Sequence, residues 1–577
     1  MAKGKRRGWC RKLLLGKPGT RWWRRGCRLL VASALLLALA IAGLHVFRKP
    51  WIEPVPGVSV EMTRRHVTLD DFGPDSAYRL FLTALAEIAK AEAADPDENV
   101  RGCYKEVLGE LGIEVAKTKP PLPVGSGSPR ASQELQPPAE PERIRAWSYG
   151  WRDALEKLTH HSWPTVPPPA APPPSPTSPP MGMLGAGDEY DMSDPHYLAI
   201  RREAPWTLAQ YEQILHGLAL HQPAIPQLDL ALGAPAPQVP TIDTLLDTGT
   251  RQQWVRDLCN WLAISAHTHA AKGDYAEARR DLQRSLATAA LFTRGGSPGD
   301  HCAAWGCGNL ISVAARAVAA NHPVPRALLC EMATDFLHHA ESAEPFVECV
   351  RADFVAQRSF VPIYYGFAAF DPIGYPYRSD GWRERLVSGL AFAVAPLAGS
   401  TPDKTVRNLE SLFQHWVVLA QKPYSAAVQA EYDAIKEGWN PRRTTTGLVL
   451  GTRDPFGYHM ASWGIDTPDR LHAWSATQVA VLRGTALFLT VRAYETDHGG
   501  LPDSLVKLVP TYLRQLPVDP FSGKPFRYLR SGVPGLSPDA WAVYSVGPNC
   551  ADDGGTAHVP ASFHPDLVIP SQNRPRE

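Results

Sequence analysis

The chain has 577 residues, which is long enough for two to four domains. Its charge is strongly segregated, because no acidic residue precedes Glu53 whereas 13 Lys and Arg residues occur up to Lys49. The remainder therefore carries 46 basic and 58 acidic residues, a net charge of about −12 with His neutral. A body this acidic excludes a general nucleic-acid binder, which needs clustered positive charge to displace counterions.

The N-terminal segment predicts a single-pass membrane protein. Residues 1–28 form a strongly basic tail, and residues 29–47 are 19 residues without a formal charge, roughly 28 Å as a helix and close to the hydrocarbon thickness of a bilayer. Because positive charge beside a first membrane helix stays in the cytoplasm, the rest of the chain is predicted to be extracytoplasmic, on the periplasmic side of a bacterial inner membrane. The alternative is a cleaved signal peptide, since Ala38-Leu39-Ala40 and Ala40-Ile41-Ala42 both have the small-x-small form.

Two Pro-rich segments interrupt the globular pattern. Residues 117–142 are rich in Pro, Ser and Gly, and residues 164–182 begin with a nearly continuous polyproline tract. Such sequences bury too little apolar surface to fold, so they are predicted to be extended linkers, with a PxxP docking site as the alternative. The first linker lies within a helical segment, residues 51–163, in which Asp75 to Ala93 has apolar residues at helical spacing.

Residues 190–465 are predicted to form a body of many helices, because Ala is abundant and alternating β-branched residues are scarce. The clearest helical pair covers Arg251 to Phe292, where Gly273 is predicted to end the first helix and Asp274 to cap the second. This pair resembles one helix-turn-helix of the tetratricopeptide repeats, although the repeat period of an array is absent. The resemblance rests on Ala266, Gly273, Tyr275 and Ala278.

Residues 471–560 have a different pattern. A helix from Leu471 to Tyr494 precedes turns rich in Pro and Gly and short runs of strand-forming residues, which predict a small antiparallel sheet. In order and spacing this region resembles the globular domain of the major pseudopilin of type II secretion systems. The matching positions are Tyr494, Asp497, Gly500, Pro502, Tyr512, Leu513, Pro517, Asp519, Pro520, Tyr528, Tyr544, Ser545 and Gly547. Residues 561–577 are predicted to be a disordered tail.

The pseudopilin resemblance implies a calcium site in the last loop, because that family binds calcium there through Asp side chains and backbone carbonyls. The positions that carry over are Asp552 and Asp553, with Asp519 as a more remote ligand. The chain lacks the Phe and Glu of a prepilin cleavage site, so it is not expected to polymerise as a pilin subunit. The whole chain is also similar to bacterial proteins with a membrane anchor, a helical body and a pseudopilin-like tail; this similarity implies location and architecture but no activity.

Motifs that would name a reaction are absent from the sequence, including HExxH, the Walker phosphate loop and paired CxxC. Weaker patterns could provide metal ligands, an aromatic binding groove or a disulfide, but each of them also has an ordinary structural interpretation. They are the histidines His267 and His269, the set His338, His339 and Glu341, the EF-hand-like Asp95, Asp97, Asn99 and Glu106, the body tryptophans Trp206, Trp254, Trp261, Trp305 and Trp416, and the thiols Cys302 and Cys307, which either close a small loop or stay free.

The sequence therefore predicts a mainly α protein with an N-terminal transmembrane helix, a multi-helix extracytoplasmic body and a small C-terminal α+β module. The favoured function is a membrane-anchored scaffold or binding protein of the cell envelope, with protein partners that include secretion or envelope components. The alternative is an envelope hydrolase whose catalytic residues come from the helical body, which would require paired carboxylates or a His–acid pair with shifted pKa values.

Overall fold

The structure is a computed structural model, and it describes residues 52–63, 71–94, 208–234, 239–240, 248–370, 400–439, 454, 467–534, 536–556 and 566–571. All of them belong to one compact unit, formed by Met1–Glu114 and Leu198–Glu577. A second unit, Val115–Tyr197, lies outside the described residues, as do the predicted membrane segment 29–47 and both Pro-rich linkers.

Helices dominate the described part of the chain, with 66% of its residues helical beside one three-stranded sheet, which confirms the mainly α prediction. The helices are α1 (Ala77–Ala94), α2 (Leu208–His221), α3 (Ile225–Gly233), α4 (Thr248–Ala271), α5 (Tyr275–Thr293), α6 (Pro298–Asn321), α7 (Arg326–Glu341), α8 (Phe346–Phe370), α9 (Pro402–Ala420), α10 (Ala426–Trp439) and α11 (Pro468–His498). The strands are β1 (Arg527–Leu529), β2 (Ala542–Ser545) and β3 (Leu567–Pro570).

Local sequence signals explain several helix ends. Gly273 has a φ of 82°, which only a residue without a Cβ adopts easily, and the Asp274 side chain accepts a hydrogen bond from the Glu277 N–H at 3.3 Å. Both observations confirm the predicted turn between α4 and α5. Helix α11 extends beyond the predicted Leu471 to Tyr494 at both ends and finishes at His498, where Gly499, with a φ of 68°, caps it.

The main hydrophobic core joins the helical body to the C-terminal region. Buried side chains of α1, α4, α5, α6 and α7 form one continuous cluster with those of α11 and of the sheet. A second cluster packs α8, α9 and α10 around Trp416 and Tyr432, and it reaches α11 at Leu471. Helix α11 therefore contributes to both clusters, and the long C-terminal helix is part of the body's interior.

Helices α6 and α11 lie side by side and run in the same direction. Gly308 faces the side-chain amide of Gln478, Arg316 donates a hydrogen bond to Thr485, and the Ala319 carbonyl accepts one from Arg492. Among the described residues α6 is the one helix that is long and apolar enough to cross a membrane, and 67% of its most apolar window is buried inside the protein. Its packing is that of a core helix.

The sheet is antiparallel throughout, in the order β1-β2-β3. Gly484 allows it to approach α11 closely, because a Cβ at this position would lie 2.0 Å from the Ile569 side chain of β3. The assignment of residues 561–577 to a disordered tail was wrong for Leu567–Pro570, which pair with β2. Three apolar residues followed by a proline are too short a run to identify a strand from the sequence alone.

Candidate functional site

The turn before β1 is built around Asp519, which was a remote candidate for calcium. Its carboxylate is 1% exposed and accepts hydrogen bonds from the Ser545 hydroxyl at 2.7 Å, the Ser522 hydroxyl at 2.8 Å, and the N–H groups of Phe521 and Val546. Four protein donors therefore occupy its oxygens, and Asp519 connects the turn to β2.

The loop after β2 carries the two predicted calcium ligands. Asp552 accepts hydrogen bonds from Arg527 at 3.0 Å, from the Tyr544 hydroxyl at 3.2 Å and from the Gly554 N–H at 3.1 Å. The Gly554 bond and the Arg527 and Tyr544 contacts lower the pKa of Asp552, so this carboxylate is charged at neutral pH. One oxygen of Asp553 accepts from the Asn549 side chain at 2.8 Å.

A third carboxylate, Asp566, adjoins this loop and was not identified from the sequence. It precedes β3, is 4% exposed, and accepts the Gly555 N–H at 2.7 Å through Oδ2. Its Oδ1 is buried and has no hydrogen-bond partner in the part of the chain that the structure describes. Burial raises the pKa of Asp566, and the charges of Asp553 and Asp552 raise it further. Three carboxylates therefore interact electrostatically at one end of the sheet.

Three contacts of Arg326, Asp497 and Tyr512, here called the Arg326 clamp, join the start of α7 to the end of α11. Asp497 and Tyr512 are two of the positions on which the pseudopilin resemblance rests. Arg326 of α7 contacts Asp497 at 2.9 Å and lies over the Tyr512 ring at 5.1 Å from its centre. The Tyr512 hydroxyl donates to Asp497 at 2.7 Å. The end of α11 is thus fixed to the helical body by a charge pair, a cation–π contact and a hydrogen bond.

Two networks of buried charge were missed by the sequence analysis. Arg251 of α4 makes a two-pronged pair with Asp300 of α6, which is fully buried and also accepts from the Ser297 N–H at 2.8 Å. Arg284 of α5 contacts Asp229, Glu277 and Asp281 at 2.7 to 2.9 Å. The Arg251–Asp300 and Arg284–Asp229 pairs connect separate helices, and no local motif indicates them, whereas Glu277 and Asp281 lie on α5 with Arg284.

The weaker patterns have structural roles where they are described. Trp254 and Trp416 are core residues, and Cys302 and Cys307 are free thiols on one helix, α6. The described residues contain no group of three His, Cys, Asp or Glu side chains placed to hold a metal ion by themselves, so a cation at the Asp552–Asp553 loop would also need backbone carbonyl or water ligands. The EF-hand-like residues 95–106 and Trp206 lie outside the described residues.

The hydrolase alternative requires paired carboxylates or a His–acid pair with shifted pKa values, and the described residues meet this requirement only in part. Asp353 of α8 is buried, and burial raises the pKa of its carboxyl to about 6. Its hydrogen-bond partner is the Gln357 amide at 3.1 Å, and no second carboxylate contributes to the shift. Asp353 therefore provides one carboxyl group with a raised pKa, and the described residues around it do not supply the partner group that acid–base catalysis requires.

No protein-family model matches the sequence, and neither a curated protein nor a solved structure matches it significantly.

Proposed function

We propose that the chain is a membrane-anchored scaffold or binding protein on the extracytoplasmic side of a bacterial inner membrane. Its helical body would hold a protein partner, and its pseudopilin-like C-terminal region would dock to secretion or envelope components. The observation that supports this most is the joint packing of α11 with α6, α7 and the sheet, together with the Arg326 clamp. Because the C-terminal region is fixed to the body in this way, a partner that docks on it is held at a fixed position relative to the body.

Exposed apolar side chains on the C-terminal region offer a direct test of docking. Val506 is 67% exposed and Val518 44% exposed, whereas Val313 on α6 is an exposed apolar residue of the helical body. We expect Val506→Glu or Val518→Glu to reduce recovery of envelope partners at least fivefold, because a charge cannot be buried in an apolar contact without a large desolvation cost.

The measurement is crosslinking in cells, affinity purification of the tagged full chain and identification of partners by mass spectrometry. Val313→Glu is the matched control, since it adds the same charge to an exposed position of the body, and it should leave recovery unchanged. Failure to recover any pseudopilin or other envelope component with the unaltered chain would contradict the docking proposal.

Calcium belongs to this proposal as a stabiliser of the last loop. The unpartnered Oδ1 of buried Asp566 and the raised pKa of its carboxyl are features that a bound cation would relieve. Asp566 and Asp553 would be the principal side-chain ligands. Asp552 would contribute only an oxygen that it shares with Arg527, since the guanidinium already compensates its charge.

We expect calcium to raise the thermal midpoint of the purified chain relative to excess chelator, with about 2.7 kcal/mol of stabilisation at a hundredfold excess over Kd. The double substitution Asp553→Asn with Asp566→Asn should abolish this difference. Asp503→Asn removes an exposed carboxylate that pairs with Arg530, and it should preserve the difference. An equal calcium response in the double variant would exclude this loop as the site.

A further inference from the structure

The contact between α6 and α11 contains a cation, Arg316, that has no matching anion among the described residues. Arg316 of α6 donates to the Thr485 hydroxyl at 3.1 Å, and it forms no ion pair with any carboxylate in the part of the chain that the structure describes. Every other arginine discussed above has a carboxylate partner. Loss of hydration lowers the pKa of Arg316 to about 10, and no acidic group opposes this effect.

Unsatisfied polar atoms lie on either side of this arginine. Ser312, one turn before it on α6, is 0% exposed, and its hydroxyl has no hydrogen-bond partner among the residues that the structure describes. Within the same residues, the side-chain oxygen of Gln478 on α11 is buried without a partner, and the Gln478 Nε2 group lies against Gly308, one turn before Ser312. Such groups each cost free energy unless something binds them. Gly308, Ser312 and Arg316 follow one another at four-residue spacing on α6, so their polar groups lie along one contact with Gln478 and Thr485 of α11, which we call the seam.

Solvent can reach the seam from the outer side of α6. Arg316 is only partly buried, and the positions next to it on the outward face, Asn309 and Val313, are exposed. Gly306, on the same face, has open space where a side chain would be. A small solute therefore has a route to the guanidinium, whereas the Ser312 hydroxyl is shielded from bulk water.

We propose that this seam, formed by Ser312, Arg316, Gln478 and Thr485, binds the carboxylate group of a small ligand. The guanidinium supplies one positive charge and a planar pair of N–H donors, which match a carboxylate in charge and geometry. The Ser312 hydroxyl and the Gln478 Nε2 group can add uncharged donors, whereas the Gln478 Oε1 atom is an acceptor and cannot hydrogen-bond a carboxylate. A dianionic phosphate would leave an uncompensated negative charge in the seam. This site does not depend on docking by the C-terminal region.

The test is thermal unfolding of the full chain, purified in detergent, in sodium acetate and in sodium chloride of equal ionic strength. We expect acetate to raise the midpoint of the unaltered chain and Arg316→Gln to remove this dependence. In chloride, Arg316→Gln should be at least as stable as the unaltered chain, because it removes an unpaired charge. Equal midpoints in acetate and chloride for the unaltered chain would overturn the proposal.

Two further variants keep the test decisive if Arg316→Gln does not fold. Ser312→Ala removes a hydroxyl that has no partner, so it should fold normally and weaken acetate binding several-fold. Arg492→Gln is the matched control, because Arg492 already pairs with Glu495 on the same helix, and its acetate dependence should equal that of the unaltered chain. An unchanged acetate affinity in Ser312→Ala would show that the seam is not the site.

The source of the carboxylate is identified by three probes. Acetyl-trialanine with a free C-terminus should bind at least tenfold more tightly than acetate if the ligand is a peptide end, and its C-terminal amide should not bind. Equal affinities for acetate and the peptide acid indicate a small organic acid. Tighter binding of inorganic phosphate than of either carboxylate would overturn the assignment.

Discussion

A chain that ends at Asp466 is expected not to fold its helical body, because it lacks α11 and the sheet. Helix α11 buries six large apolar side chains, and each contributes about 1.5–3 kcal/mol when fully buried. Their sum equals or exceeds the total stability of a typical domain, about 5–15 kcal/mol. The six are Leu471, Leu482, Leu487, Phe488, Leu489 and Val491.

Circular dichroism during heating measures this effect. The truncated chain should lose the cooperative transition of the full chain, whereas a control chain that ends at Ser571 keeps β3 and should melt normally. A truncated chain that melts cooperatively within a few degrees of the full chain would mean that the body folds without α11.

The second large effect is expected at the buried pair between α4 and α6. Asp300→Ala should lower the free energy of unfolding by about 3–5 kcal/mol, because it leaves the Arg251 guanidinium buried without its anion. It also removes the acceptor of the Ser297 N–H at the start of α6. Urea unfolding followed by circular dichroism measures the change.

A double substitution separates lost charge pairing from general damage to the core. Asp300→Ala combined with Arg251→Met should be more stable than Asp300→Ala alone, because no unpaired charge remains. Glu87→Ala at the exposed pair with Lys90 should change stability by less than about 0.5 kcal/mol. A loss below about 1 kcal/mol in Asp300→Ala would contradict the importance assigned to this pair.

Elements marked by local chemistry were predictable from the sequence. The Gly273-Asp274 turn and the end of α11 at Gly499 depend on backbone conformation and capping, which a few adjacent residues determine. The three-stranded sheet was predicted in part: β1 and β2 were identified, whereas β3 is a short apolar run whose pairing depends on a distant strand.

The features that depend on long-range packing were not predictable. Arg251 and Asp300 are 49 residues apart, and Arg316 and Thr485 are 169 apart. Each pair exists only because α6 packs against another helix, and a single sequence contains no signal for that contact. The resemblance pointed to the loop of Asp552 and Asp553, which is proposed to bind calcium, yet the buried carboxylate beside it, Asp566, comes from the segment just before β3.

We claim above all that the helical body and the C-terminal region, α11 with the sheet, form one cooperative structure. Native-state hydrogen exchange of the full chain, followed by mass spectrometry in low denaturant, tests it most directly. Amides of α6, α7, α11 and β2 should exchange through a common opening with the same free energy and the same dependence on denaturant. Exchange of α11 and β2 through an opening of lower energy, with α6 and α7 still protected, would contradict the claim.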